Sequence, residues 1–510
     1  MKRIFLYSLI ALSLLAFNGC KEKYLNVFPE DRITSVSFWQ DENDVKLALN
    51  GIYSMLRDHS IYGYGPGLDA CTPNAYQWAY WEGYEQQIGD GSLTTATPGI
   101  VTGRWTACYG IISRVDYFLE NIGKVKLDDE ASKTYIGEAH FLRGVAYSLL
   151  AETYGGVPIV DSTLATGQAR QVKRSTLEQT WGKAISDYDI AIGDLGVTAP
   201  EAGRATLGAA LGMKMRAYLY QDKYPEVLKV IARIDSLGVY SLYPSYHGMF
   251  QVENEDNQGV LFDVQFIAGE NGQGSIFDRY LQPQNLKYGI SGSNSDAPTQ
   301  NLVDAYEMID GSKVDPAHPY KGRDPRLDFT ILRPGAYFQG QLYPVEIKNH
   351  TGQRVGFGYR KYTIENMTVI PTQSPLNYIV LRYADVILSK AEALIETGQD
   401  IDEAISLINR IRTEREDVKI TPLPPGLSQA DARKALRHER RIEFALEGTY
   451  WPDIKRWNIG ADIYPVEVRA ADGSLIETKF PKGYQQRYNL LPIPESEISL
   501  NQNLKQNPGW

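Results

Sequence analysis

The sequence predicts a mainly α-helical chain, in which tetratricopeptide-like helix pairs are interrupted by long loop-rich insertions carrying a few short β-strands. Three observations lead there. Apolar residues recur at helical spacing in several long segments. Two of these, RAYLYQDKYPEVLKVIARI (216–234) and AEALIETGQDIDEAISLINRI (391–411), share one pattern of apolar helix, tight polar turn and second apolar helix. Between and around them lie stretches rich in Gly, Asn, Pro and Thr that have no helical period.

Taken in order, MKRIFLYSLIALSLLAFNGC opens with Lys2 and Arg3, then an apolar stretch from Ile4 to Phe17 that is too short to span a bilayer. Gly19-Cys20 follows where a signal peptidase would cut. The expectation is a signal peptide over 1–19, lipidation of Cys20, and an extended tether over 20–40. Several buried acyl chains, at about 0.8 kcal/mol per CH₂, make an anchor that does not come off readily. The remainder, 41–510, reads as one large domain with insertions near 60–103 and 240–375.

A helix is expected at 41–57, with Val45, Leu49, Ile52, Tyr53 and Leu56 at helical spacing and acids in its first turn. Periodicity returns at 104–121. It is clearest at 132–154, where Ala139, Leu142, Val145, Ala146, Leu149 and Leu150 share a face and Gly155-Gly156-Val157-Pro158 stops the helix. With 175–195 and 429–448 the helix pairs number three or four. Small residues such as Ala217 and Ala391 let paired helices approach closely. Within the second insertion GVLFDVQFI (259–267) reads as a strand. NYIVLRYADVIL (377–388) reads as a strand running into a helix.

Charge and motifs narrow the function. The formal charge is −10, two lower once Lys2 and Arg3 leave with the signal, which argues against nucleic acid and polybasic lipid contacts. HExxH, GxSxG, GxxxxGK[ST] and CxxC are all missing from the sequence. No cofactor or metal is expected: the acidic loop ENEDNQG (253–259) lacks EF-hand spacing, and His140 reads as a satisfied helix residue. Cys71 and Cys108 are the two cysteines left after processing, and in an oxidising compartment a disulfide between them is possible. The helix RHERRIEFALEG (437–448) puts Glu439, Glu443 and Glu447 at intervals of four among Arg437, Arg440 and Arg441. Carboxylates so placed would be held ionised, which suits a clamp between helices and not a general acid.

The segment NAYQWAYWEGYEQQ (74–87) crowds Tyr76, Trp78, Tyr80, Trp81 and Tyr84 into one loop, with Asn74, Gln77, Glu82 and Gln86 beside them. If helical, Tyr76, Tyr80 and Tyr84 share a face. If extended, Tyr76, Trp78 and Tyr80 align at steps of about 6.8 Å. Either gives a platform of rings with polar handles, and either could instead pack the loop.

HERRIEFALEGTYWPDIKRW (438–457) resembles the ERR-x-E-x-x-x-EG-x-RW-x-D-L-x-RW signature of the SusD/RagB family of outer-membrane nutrient-binding lipoproteins. It places Arg440, Arg441, Glu443, Glu447, Trp451, Asp453, Arg456 and Trp457 in the motif, with Tyr450 where Arg is usual. ALNGIYSML (48–56), GEAHFLRGVAYSLLAETYGGVPIV (137–160, with Gly144 for the usual Ala), YIVLRYADVILSKAEALIETG (378–398) and LLPIPESEISLNQNLKQNPGW (490–510) match further blocks in order. The resemblance implies a SusD-like α-α superhelix of four helix pairs supporting a less regular ligand-binding half. It also implies a lipid-anchored protein at the outer membrane, facing the cell surface. Such a protein binds oligosaccharides (for some members peptides) without catalysis and passes them to a SusC-like TonB-dependent outer-membrane transporter. The loop after the first helix is often ligand-contacting in the family. A second wall is expected from Phe277, Tyr280 and Tyr288, ahead of APTQNLVDAYEMIDG.

Overall fold

The computed structural model describes residues 38–79, 83–268, 273–283, 292–343, 347–349, 352, 354–366 and 373–510. Cys20 and the tether up to residue 37 lie outside them. So do Tyr80, Trp81, Glu82 and Tyr288.

Ten helices carry the architecture, labelled α1 Glu42–Tyr53, α2 Thr102–Asn121, α3 Asp129–Tyr154, α4 Leu177–Asp194, α5 Leu207–Leu219, α6 Tyr224–Leu237, α7 Tyr383–Thr397, α8 Ile401–Thr413, α9 Gln429–Glu443 and α10 Tyr450–Arg456. Their ends follow from local chemistry. Asp41 caps α1, accepting from the Asn43 and Asp44 amides. Asp128 caps α3, which stops at Gly155 in a φ of 80°. Thr176 and Gln179 form a capping box on α4. Asp400 caps α8, and Ser428 caps α9.

Consecutive helices pack as neighbours from α2 through α6, and α7 then docks on α6. The stack therefore continues across the 145 residues separating α6 from α7. The base of this excursion is closed by an antiparallel ribbon, Val260–Val264 on Tyr378–Arg382, with Val264 opposite Tyr378 and Val260 opposite Arg382. Tyr378–Arg382 runs without a break into α7, as the strand-then-helix pattern predicts. Helix α5 lies against the ribbon at Gly212, where a Cβ would come within 2.3 Å of Leu381 Cδ2.

One apolar core runs from Trp39 to Leu504 and includes most of the expected faces of α1 and α3, with Tyr53 and Leu149 half-buried at its edge. The excursion adds a small second core of Ala297, Leu332, Phe338, Tyr343, Ile347 and Val355, against which Tyr76 packs. No helix among the described residues is long and apolar enough to cross a membrane.

The arginine–glutamate cluster differs from its sequence reading in where the cations come from. Helix α9 ends at Glu443, and Leu446 takes a φ of 62°, so Glu447 lies beyond the helix. Glu443 is held by Arg326, Arg382 and Arg415, and Glu447 by Lys361 and Arg382, instead of by the arginines of α9. Those cations pull both carboxyls below the usual range, against the opposing effect of burial, which is the largest single influence on each. Arg440 joins Asp385 to Asp453, Arg456 joins Asp453 to Glu392, and the Trp457 indole donates to Glu392 at 2.8 Å. Trp451 is buried and stacked on Phe480. Tyr450, in place of the usual Arg, receives the Arg441 guanidinium over its ring at 5.3 Å.

Cys71 and Cys108 are both buried and free, so there is no bridge. The Cys71 thiol donates to the Glu85 carbonyl at 3.4 Å, and Cys108 lies in the buried face of α2. Burial pushes the Cys108 thiol up to about 12 and the Cys71 thiol well above its ordinary value. His140 is satisfied, with Nδ1 2.8 Å from Asp187. Among the described residues no group of three or more His, Cys, Asp or Glu is arranged to hold a metal ion.

Candidate functional site

The aromatic segment is built up from a buried polar root. Gly67–Cys71 forms a 3₁₀ turn, and Asp69 at its centre accepts from the Gly448 amide at 2.6 Å and from Asn74 Nδ2 at 3.3 Å. Burial pushes the Asp69 carboxyl up to about 7, and those two hydrogen bonds pull it back only in part. Asn74 Oδ1 in turn accepts from Arg441 Nε at 2.9 Å. Asn74 is therefore fully buried and engaged by the signature helix, not turned toward a ligand. The short polar side chain serves as a spacer between the loop and α9.

Beyond Asn74 the chain is extended, not helical. Ala75–Gln77 pairs antiparallel with Asp296–Pro298, Tyr76 opposite Ala297. Strand alternation then sorts the side chains. Ala75 and Gln77 face inward and are buried, whereas Tyr76 and Trp78 lie on the other face and are half-buried. The Trp78 amide bonds the Ser295 carbonyl at 3.1 Å. The Trp78 indole donates to the carbonyls of Ser293 (3.3 Å) and Asn294 (3.0 Å). Gln77 reaches the Tyr280 hydroxyl at 2.7 Å. The two walls expected from separate parts of the sequence are thus brought together by strand pairing.

The second wall differs in its detail. Phe277 is fully buried, its ring edge-on to Phe266, Tyr362 and Tyr378. Tyr280 is 2% exposed, stacked on Tyr64 and bonded to Gln77. Both belong to the inward face of the short helix Phe277–Leu281 and act as supports beneath the platform. Gln86 is also a support, exchanging hydrogen bonds with Gln77 and donating to Glu477.

Tyr84 occupies the left-handed region at a φ of 67°, a conformation that costs a non-glycine residue of order 1–3 kcal/mol. Gly99 lies close enough that a Cβ there would meet Tyr84 Cδ2 at 3.0 Å, and Ile100 bonds the Gly83 carbonyl at 3.1 Å. The returning chain holds Tyr84 half-buried against the main core.

One further exposed ring escaped the sequence reading. The hairpin Tyr337–Phe338/Gln341–Leu342 turns through Gln339 and Gly340, both at positive φ. It buries Phe338 in the second core and leaves Tyr337 66% exposed. The available signal was Gln-Gly between Tyr337-Phe338 and Gln341-Leu342, a hairpin pattern too brief to separate from its loop-rich surroundings.

This arrangement, irregular loops clasped onto a helical stack, also has counterparts among known proteins. The SusD family profile matches residues 258–510, and a second profile, described as starch-binding associating with outer membrane, matches residues 24–219. A SusD-like protein of Formosa agariphila is 26% identical and aligns over 94% of each chain. The crystal structure of a SusD-like protein from Bacteroides fragilis superposes with a TM-score of 0.81 at 28% identity, covering 95% of this chain and 100% of the other. A SusD-like carbohydrate binding protein from the same species gives 0.82 at 27% identity, covering 92% and 100%. Profile matches on both sides of residue 240, a shared scaffold and near-complete coverage lead to one assignment: the chain belongs to the SusD/RagB family.

Proposed function

We propose that the chain is an outer-membrane lipoprotein, anchored through Cys20, that holds oligosaccharides and hands them unaltered to a SusC-like TonB-dependent transporter. The observation that carries the binding step is the pairing of Ala75–Gln77 with Asp296–Pro298, which puts Tyr76 and Trp78 together on the half-buried face of a braced strand. A sugar ring offers a flat C–H face to such rings, while its hydroxyls find amides and carbonyls nearby. Tying the Trp78 indole to Ser293 and Asn294 fixes the ring before a ligand arrives, which lowers the ordering cost of binding. The 27%-identical carbohydrate binding relative supports the ligand class.

The test is a glycan array run beside a peptide library on the processed protein, followed by calorimetry with any glycan retained. Micromolar to millimolar glycan binding without product formation is expected. Trp78→Ala should weaken it roughly tenfold, the loss of about 1.4 kcal/mol. Retention of peptides alone would move the ligand class to peptides. Undiminished affinity in both Trp78→Ala and Tyr76→Ala would move the site elsewhere.

A further inference from the structure

A separate cavity lies inside the helical stack, between α3, α4, α5 and the loop 59–68, with about 90 Å³ open to the centres of water-sized spheres. About 10–15 Å³ on that measure holds one water, so the space suits several waters or one small molecule. Its walls are aromatic. Tyr62 stacks on Tyr378 with ring centroids 5.6 Å apart, and Trp181 meets Tyr220 edge-on at 6.4 Å.

The polar groups of these walls are incompletely satisfied. Among the described residues the hydroxyls of Tyr62 and Tyr220 and the Trp181 indole N–H have no hydrogen-bond partner. Arg104, 5% exposed, spends Nε on the Ser60 carbonyl and Nη1 on Thr153 Oγ1, with no carboxylate in ion-pair range among the described residues. Glu85 is likewise 5% exposed, and its Oε2 has no partner. Tyr62 and Tyr220 are half-buried, so the buried Glu85 Oε2 and the three unpartnered donors beside it leave these walls able both to donate to and to accept from a guest. The charges nearly balance. Arg216 is neutralised by Asp385, Glu152 faces Lys455, and Arg104 stands against Glu85. An ion would gain little there. A neutral molecule that both donates and accepts, and has an apolar face for the rings, would gain at every wall.

We propose that this cavity is a second binding site, separate from the Tyr76–Trp78 platform, for a small neutral polyhydroxylated molecule the size of a single sugar unit. It does not rest on the platform's assignment, because different residues carry it.

The test uses D-glucose and sodium acetate as probes on Trp78→Ala protein, in which the platform is weakened, with ligand-observed NMR titration and a glucose-soaked crystal. Glucose should bind and acetate should not. Tyr62→Phe and Tyr220→Phe, which keep the rings and remove unpartnered hydroxyls, should each weaken glucose binding about three- to tenfold. Neither should lower the melting temperature, so the variants remain folded and informative. Electron density for glucose between Trp181 and Tyr62 would support the site directly. Density for water alone, equal binding of acetate, or unchanged glucose affinity in both variants would overturn it.

Discussion

Glu443 is surrounded by three guanidinium groups, none from its own helix. Arg382 and Arg415 both reach Oε1 at 2.6 Å, and Arg326 reaches Oε2 at 2.9 Å, all with negligible exposure. Removing one partner of such a set leaves buried charge uncompensated, which costs about 3–5 kcal/mol. Glu443→Gln should lower unfolding free energy by that order at neutral pH, read from urea denaturation. The pH dependence has a definite sign. The folded carboxyl is held below its unfolded value of about 4.3, so its contribution is complete above that pH and is lost as pH falls through the folded value. The gap between wild type and Glu443→Gln should therefore shrink on acidification below about pH 4, and a gap independent of pH down to pH 2 would refute the account. The glutamates were legible in the sequence because they recur every four residues. Their cations were not, since Arg326, Arg382 and Arg415 lie 28–117 positions away and no local period connects them. The same limit misplaced Asn74, Phe277 and Tyr280. Residue type suggested ligand contact, while burial by partners remote in sequence decided otherwise.

Among the elements, α3 and α4 illustrate how one small residue sets a helix approach. Gly144 occupies a position where Ala is usual in the signature, yet a Cβ there would lie 2.7 Å from Tyr188 Cε1 and 2.9 Å from Cδ1. Gly144→Ala would gain about 1 kcal/mol in helix propensity. It would also overpack the interface, at about 1–3 kcal/mol, because the ring is fully buried and its hydroxyl is bonded to Ser148 at 2.9 Å. The expected outcome is a net loss of about 1 kcal/mol. In a Tyr188→Leu background the same change should cost nothing or stabilise, and a double-mutant cycle on denaturation midpoints measures the difference. Equal effects in both backgrounds would show that the ring is not the obstacle. Helices such as α3 were readable because their apolar residues keep a period over many turns. The strand at 75–77 was not, since three residues carry no period and its register is set by Asp296–Pro298, some 220 positions on.

At the scale of the whole molecule, chain segments far apart close one another's exposed ends. Helix α3 ends with carbonyls that have no intrahelical partner. The C-terminal segment supplies the donors: Leu491 to the Thr153 carbonyl at 2.7 Å and Asn507 to the Tyr154 carbonyl at 2.9 Å. Arg174 joins the same knot, bonding the carbonyls of Tyr154 and Lys505. Trp510 closes it with its indole donating to the Arg487 and Leu490 carbonyls at 3.1 and 3.0 Å. Because the main core runs from Trp39 to Leu504, damage at this knot should reach the platform through loss of cooperative stability. Deleting residues 490–510 should lower the melting temperature, open the segment 155–175 to limited proteolysis, and reduce glycan binding although no platform residue is removed. Calorimetry should show a single transition for the complete chain. A deletion variant that melts unchanged and still binds would mean that the stack and the platform stand independently of this segment.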